Sequence, residues 1–231
     1  MAVGLTIPWW LGEIALVRHA ESKANTRELI PMQHGDHAIP LTDTGIQQAE
    51  EVGKKLSSFV RDAHYRTLIY CSPYLRTRQT LEHMLKGADE AKEEDGLYGS
   101  IGPDRRAVYE DPRLREVDRG YGTVENFVEQ QRLRERHGWF YYRFDGGESP
   151  ADCYDRVSGF VDSLWRQAER KQGRRVVIVS HGLTIRCLVM RFLHLTVEDF
   201  DRMDNPDNAS VTMLRCSVKD EEHEGAVFRR G

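Results

Sequence analysis

IALVRHAESKAN, residues 14–25, runs from four apolar residues straight into Arg18 and His19 and then turns polar. A continuous apolar run of this kind reads as a strand covered on both faces, and in an open α/β sheet the ligand chemistry gathers at the carboxyl ends of such strands. An arginine and a histidine delivered together at that end make an anion site with a nucleophile in it. The guanidinium stays ionised and forks onto phosphate or carboxylate oxygens, while its charge disfavours the imidazolium and leaves a ring nitrogen able to attack. A lone histidine at a strand end is more often a turn or packing residue; the adjoining Arg18 is what moves the reading toward chemistry.

The second half repeats the pattern. VVIVSHGLTIR, residues 176–186, is another apolar run ending in a histidine, His181, beside Gly182. Two strand-end histidines far apart in sequence can meet over one sheet. Further strand candidates are TLIYCS at 67–72, the segment around Val108 and SVTMLRC at 210–216, separated by stretches that suit helices. The expected fold is therefore α/β: a three-layer sandwich with a mainly parallel central sheet, helices on both faces and an inserted helical segment. Thr42 is a cap candidate for a helix striped by Ile46, Ala49, Val52, Leu56 and Phe59. Ser149 is one for a helix striped by Cys153, Val157, Phe160, Val161, Leu164, Trp165 and Ala168. Both stripes read as core-facing. The stretch from Gly87 to Asp104, rich in Gly, Asp, Glu and Lys, reads as a mobile surface loop.

With 231 residues, 39% hydrophobic and 30% charged, the chain can bury a substantial core and is expected to be one domain, 1–231, with an insert at approximately 119–150. A formal net charge of −4 argues against nucleic acid held by a global basic field, so any anion site must be local. Cys71, Cys153, Cys187 and Cys216 lack the close pairing of zinc or redox motifs and are expected reduced and mostly buried. No apolar run is long enough to span a bilayer, and Trp9 and Trp10 lie in a stretch without a basic leader, so the expectation is a cytoplasmic protein with no membrane partner. His34 and His37 in QHGDH, residues 33–37, are too few for a metal cage, and no metal or other cofactor is expected.

Four stretches in order carry a resemblance: LVRHAES with Asn25, SPYLRTRQT at 72–80, LREVD at 114–118 and SHGLT at 180–184. Together they resemble the motif set of the histidine phosphatase superfamily, in its phosphoglycerate-mutase-like branch, over residues 14–214. The resemblance implies that His19 is the nucleophile that becomes phosphohistidine, that Arg18 and Arg76 clamp the phosphate, and that His181 is the second pocket histidine. It implies that Glu116 is the proton donor, which gives chemistry to a residue otherwise read as one charge among many in a solvated loop. Phosphoryl transfer to His19 leaves an alkoxide unless an acid protonates the departing oxygen, and the same carboxylate can then activate water. Asn25 matches a substrate-contacting asparagine, Gly182 lets backbone approach the phosphate, and His37 is a further substrate contact if its loop lies over the pocket. Arg78 is left as a solvated neighbour.

Three departures refine the reading. Ala20 stands where the family usually has glycine, which adds a methyl beside the nucleophile without removing a catalytic group. VDRGYGTVEN, residues 117–126, differs from the segment that comes after the acid in mutases, and the paired arginines for a second phosphate are not found. The aromatic run Trp139, Phe140, Tyr141 and Tyr142 is expected to anchor the insert against the sheet, with Arg143 in reach of the pocket. The expected activity is metal-independent hydrolysis of a small phosphorylated metabolite. The alternatives are a phosphoglycerate-type mutase and a non-catalytic phospho-ligand-binding or scaffold protein. Oligomeric state is left open.

Overall fold

The apolar runs become the sheet. Strands β1 (Glu13–Arg18), β2 (Arg66–Cys71), β3 (Ala107–Glu110), β4 (Gly173–Ser180) and β5 (Val211–Arg215) lie in the order β3-β2-β4-β1-β5. Neighbours are parallel except β5, which runs antiparallel to β1. This is a computed structural model, and it describes residues 11–29, 31–60, 66–94, 107–120, 124–171 and 173–215. Trp9, Trp10 and Cys216 lie outside the described residues, whereas Cys71, Cys153 and Cys187 are buried free thiols.

After β1 comes the one-turn helix α1 (Pro31–His34), and alternation along the strands divides the core in two. Ile14, Leu16, Leu68, Tyr70, Val176 and Ile178 face one side, packed with Val157, Phe160 and Leu164 of α6 (Pro150–Lys171) and Leu188 and Phe192 of α7 (Gly182–Leu193). Ala15, Val17, Ile69, Cys71, Val177 and Val179 face the other, with Val52 of α2 (Asp43–Lys55), Phe59 and Val60 of α3 (Ser57–Val60), and Leu81 and Met84 of α4 (Leu75–Glu94). Coverage of both faces is why the strands read as unbroken apolar runs rather than alternating ones. The expected caps are present: Thr42 Oγ1 accepts from Gly45 N at 3.0 Å, and Ser149 Oγ accepts from Asp152 N at 3.1 Å while Asp152 Oδ2 accepts from Ser149 N.

Gly87 is not in a loop. Helix α4 runs through it to Glu94, and positions 95–104 lie outside the described residues. A Cβ on Gly87 would stand 2.1 Å from Glu50 O, and one on Gly53 would stand 2.0 Å from Met84 O, so each glycine lets α2 and α4 press backbone on backbone. The absent side chain serves close approach here, which composition alone reads as a chain break.

Between β3 and α6 the chain forms a 3₁₀ turn, Pro112–Leu114, and helix α5 (Val124–His137). The aromatic run after α5 divides. Phe140 is buried against Phe200 and Tyr154, with ring centroids 5.1 and 6.3 Å away, while Trp139 and Tyr141 are exposed. Phe140 is thus the buried ring of the run, in the same core as the strand residues and in ring contact with α6 and α8 (Val197–Arg202). Arg143 pairs with Asp152 at the start of α6, which holds it there and not at the strand ends.

Candidate active site

Strands β1 and β4 are parallel neighbours in a register that sets Arg18 opposite Ser180, so the next residue on each is a histidine. His19 N continues the ladder to Ser180 O at 2.9 Å, and the His19 and His181 rings stand edge to face, 5.2 Å apart. Both side chains are buried, at 4% and 0% exposure. His19 Nδ1 lies 2.8 Å from Ala20 O. A carbonyl can only accept, so Nδ1 carries the proton and the lone pair is on Nε2. Burial first and then the charge of Arg76 hold the His19 pKa well below the ordinary imidazole value; the Ala20 carbonyl pulls the other way, and Arg18 adds a lesser push down. His181 is pushed down likewise, by burial and then by Arg76 and His19.

Arg18 ends β1 and donates through Nη1 to Pro206 O, and its pKa is lowered by burial. Its Nε is buried without a hydrogen-bond partner among the described residues, as is Nδ1 of His181. His181 Nε2 is 2.8 Å from Ser72 Oγ, at the end of β2. Two orphaned buried nitrogens in one place are unusual, since each costs about 1–3 kcal/mol if nothing binds it. A Cβ at Gly182 would lie 3.5 Å from Arg18 Nε and 3.3 Å from Asn205 Cγ, so the missing side chain keeps this corner open.

Arg76 sits in the first turn of α4, 4% exposed, with its guanidinium 5.0 Å from the Tyr74 ring. The rest of SPYLRTRQT is scaffolding. Thr77 Oγ1 donates to Ser72 O, Gln79 Oε1 accepts from Leu41 N, Thr80 Oγ1 accepts from Ala20 N, and Arg78 is exposed as expected. The Ala20 methyl is fully buried with Leu41 and Ala49, so it fills a small apolar contact rather than the pocket.

Glu116 lies against the start of α7. Its carboxylate accepts from Leu183 N at 3.5 Å, from Thr184 N and Oγ1 at 3.3 and 3.2 Å, and from Val117 N at 3.0 Å. A helix N-terminus that begins one residue after His181 thus fixes the carboxylate beside the histidines. Its segment is tied on both sides: Ser180 Oγ donates to Leu114 O, Thr184 Oγ1 to Arg115 O, and Glu148 receives Arg115, Arg156 and Asp118 N.

Of the remaining residues, Asn25 Oδ1 accepts from Ser22 N and from Asn208 Nδ2, and the same Asn208 amide donates to His19 O. His37 is exposed on a 3₁₀ turn, Asp36–Ala38; its neighbour Asp36 is the residue that reaches Arg76. Two participants are not evident from the sequence motifs. One is Asp36. The other is the stretch 205–210, whose Pro206 O, Asn208 Nδ2, Ala209 N and Ser210 O wrap the backbone and guanidinium of Arg18 and His19. The polar run DNPDNAS, residues 204–210, is the signal that could have pointed to it.

Comparison with known proteins gives the family. The sequence model of the histidine phosphatase superfamily (branch 1) matches residues 14–224. The chain is 37% identical over 213 residues to the phosphoglycerate mutase-like protein AT74 of Arabidopsis thaliana, covering 87% of this chain and 64% of that protein, less than two thirds of its length. It is 28% identical over 281 residues to the broad-range acid phosphatase DET1 of Saccharomyces cerevisiae, covering 87% of this chain and 84% of that one. Among solved structures, a mycobacterial glucosyl-3-phosphoglycerate phosphatase in complex with VO3 matches with a TM-score of 0.63 at 25% identity, covering 88% and 90% of the two chains.

Proposed function

The chain belongs to the histidine phosphatase superfamily, and on that premise we propose that it hydrolyses small phosphomonoesters through a phosphohistidine formed on His19. The observation that carries this is the meeting of the lone pair on His19 Nε2 with two buried, unpartnered nitrogens, Arg18 Nε and His181 Nδ1. A nucleophile flanked by idle donors is arranged for an electrophile that carries several oxygens. In this reading Nε2 attacks phosphorus, the P–O bond to the alcohol breaks, and Glu116 gives its proton to the departing oxygen. Water then attacks the phosphohistidine, Glu116 takes its proton, and inorganic phosphate leaves with His19 restored. Arg18, Arg76 and His181 stabilise charge on the equatorial oxygens throughout, which is electrostatic preorganisation. The positive charge of the arginines makes metal unnecessary to the proposal. Relatives named for acid phosphatase activity and for phosphatase action on a phosphorylated small molecule support the substrate class.

Rapid quenching with a labelled phosphomonoester tests the covalent step. Label should be trapped on the protein as an alkali-stable, acid-labile adduct, and His19→Ala should abolish both adduct and turnover. Turnover by His19→Ala at the wild-type rate overturns the mechanism.

A further inference from the structure

Arg76, one half of the proposed phosphate clamp, already holds an anion of the protein's own. Its Nη1 donates to Asp36 Oδ1 at 2.8 Å and to Asp36 O at 2.7 Å, and its Nη2 donates to Asp36 Oδ2 at 3.1 Å. This is a two-pronged guanidinium–carboxylate pair, and it occupies the kind of paired N–H edge that a phosphoryl group uses. The partners differ in how firmly they are held. The Arg76 side chain is 4% exposed, rooted in α4 and stacked on Tyr74, whereas the Asp36 side chain is 27% exposed on a three-residue turn after Gly35, whose φ is 70°. The carboxylate is the member that can withdraw.

Resting on the clamp reading of Arg76 given above, we infer that Asp36 is an affinity-determining residue: an internal competitor that pairs with Arg76 when the site is empty and must yield that edge to the incoming phosphoryl group. A purely structural tether between the 31–40 loop and α4 would use the same distances, but the two make opposite predictions for ligand affinity. A competitor weakens every oxyanion that needs Arg76, and by the same factor, because each must displace the same carboxylate first. Asp36 would thereby ease the release of product phosphate.

Calorimetric titration with inorganic phosphate and with vanadate, at fixed pH and ionic strength, tests this on the wild type, Asp36→Asn, Asp36→Ser, Arg76→Ala and the Asp36→Asn/Arg76→Ala pair. Both Asp36 variants should bind phosphate more tightly, by about tenfold, a shift of the size expected from one released charge-paired hydrogen bond. Arg76→Ala should bind it more weakly, and the gain from Asp36→Asn should vanish in the double variant. Unchanged or weaker binding by both Asp36 variants, with Arg76→Ala still impaired, overturns the competitor and leaves the clamp standing. Unchanged binding by Arg76→Ala overturns the clamp itself.

Discussion

His19 and His181 are imidazoles buried beside guanidinium groups, and both are held neutral in the native state well below the pH at which a free histidine charges. In the unfolded chain each charges near pH 6.5. Below that pH the unfolded state therefore takes up protons that the native state refuses, and stability falls as pH falls. Between pH 7 and 5.5 the pair should contribute a loss of about 2.5 kcal/mol, less whatever native protonation occurs at the acid end. Denaturant unfolding of wild type and His181→Gln at both pH values checks this, since the variant should lose roughly half as much as the wild type in this component. For Glu116 the expected signature is selective: Glu116→Gln should slow phosphorylation by alkyl phosphates about 100-fold or more and by p-nitrophenyl phosphate far less, because that leaving group departs unprotonated. Equal losses in rapid-quench phosphorylation rates would remove Glu116 from the acid role. Arg18 and His19 were legible because an abrupt charge at the end of an apolar run is a local signal. Asp36 was not, because its meaning depends on Arg76, a partner that only the folded chain brings near.

At the level of elements, periodicity and caps placed α2 and α6 correctly, since Thr42 and Ser149 are local chemistry and buried stripes repeat with the helix. Gly87 defeated that logic because a glycine among charged residues looks the same whether it breaks a helix or serves a helix crossing. Gly87→Ala separates the two. The added methyl would meet Glu50 O at 2.1 Å, so it should destabilise by about 1–3 kcal/mol, even though alanine is the better helix former by about 1 kcal/mol. Gly159 in α6 is the control, because a Cβ there has only Arg113 Nη1 near it, at 4.0 Å. Gly159→Ala should stabilise by up to about 1 kcal/mol. Urea unfolding of the two variants decides; a Gly87→Ala protein as stable as wild type would mean that α2 and α4 can move apart freely. The aromatic run misled in a milder way: its hydrophobicity announced an anchor, but which ring is buried depends on the contacts of Phe140 with α6 and α8.

For the whole molecule the open choice is what accepts the phosphoryl group. A mutase must hold a second phosphate on a second cationic subsite and keep water from the phosphohistidine. Among the described residues, four arginines of segment 113–156 are tied to carboxylates: Arg113 with Asp111, Arg115 and Arg156 with Glu148, and Arg143 with Asp152. We therefore predict that 3-phosphoglycerate, with or without a bisphosphoglycerate primer, yields inorganic phosphate and not 2-phosphoglycerate. Phosphorus NMR distinguishes the products, and rapid primer-dependent isomerisation would make the protein a mutase with the same nucleophile. The strand order has a consequence for how such a molecule is born. β4 lies between β1 and β2 yet is made long after both, so a ribosome that has released everything up to Lys171 has exposed two strands whose shared neighbour does not yet exist. Until Gly173–Ser180 emerges, each presents an unpaired edge that invites pairing with other chains. The nascent polypeptide is thus most in need of a chaperone in that interval, and the arrival of one late strand joins β1 to β2 and sets the second histidine beside the first, before β5 covers the outer edge of β1.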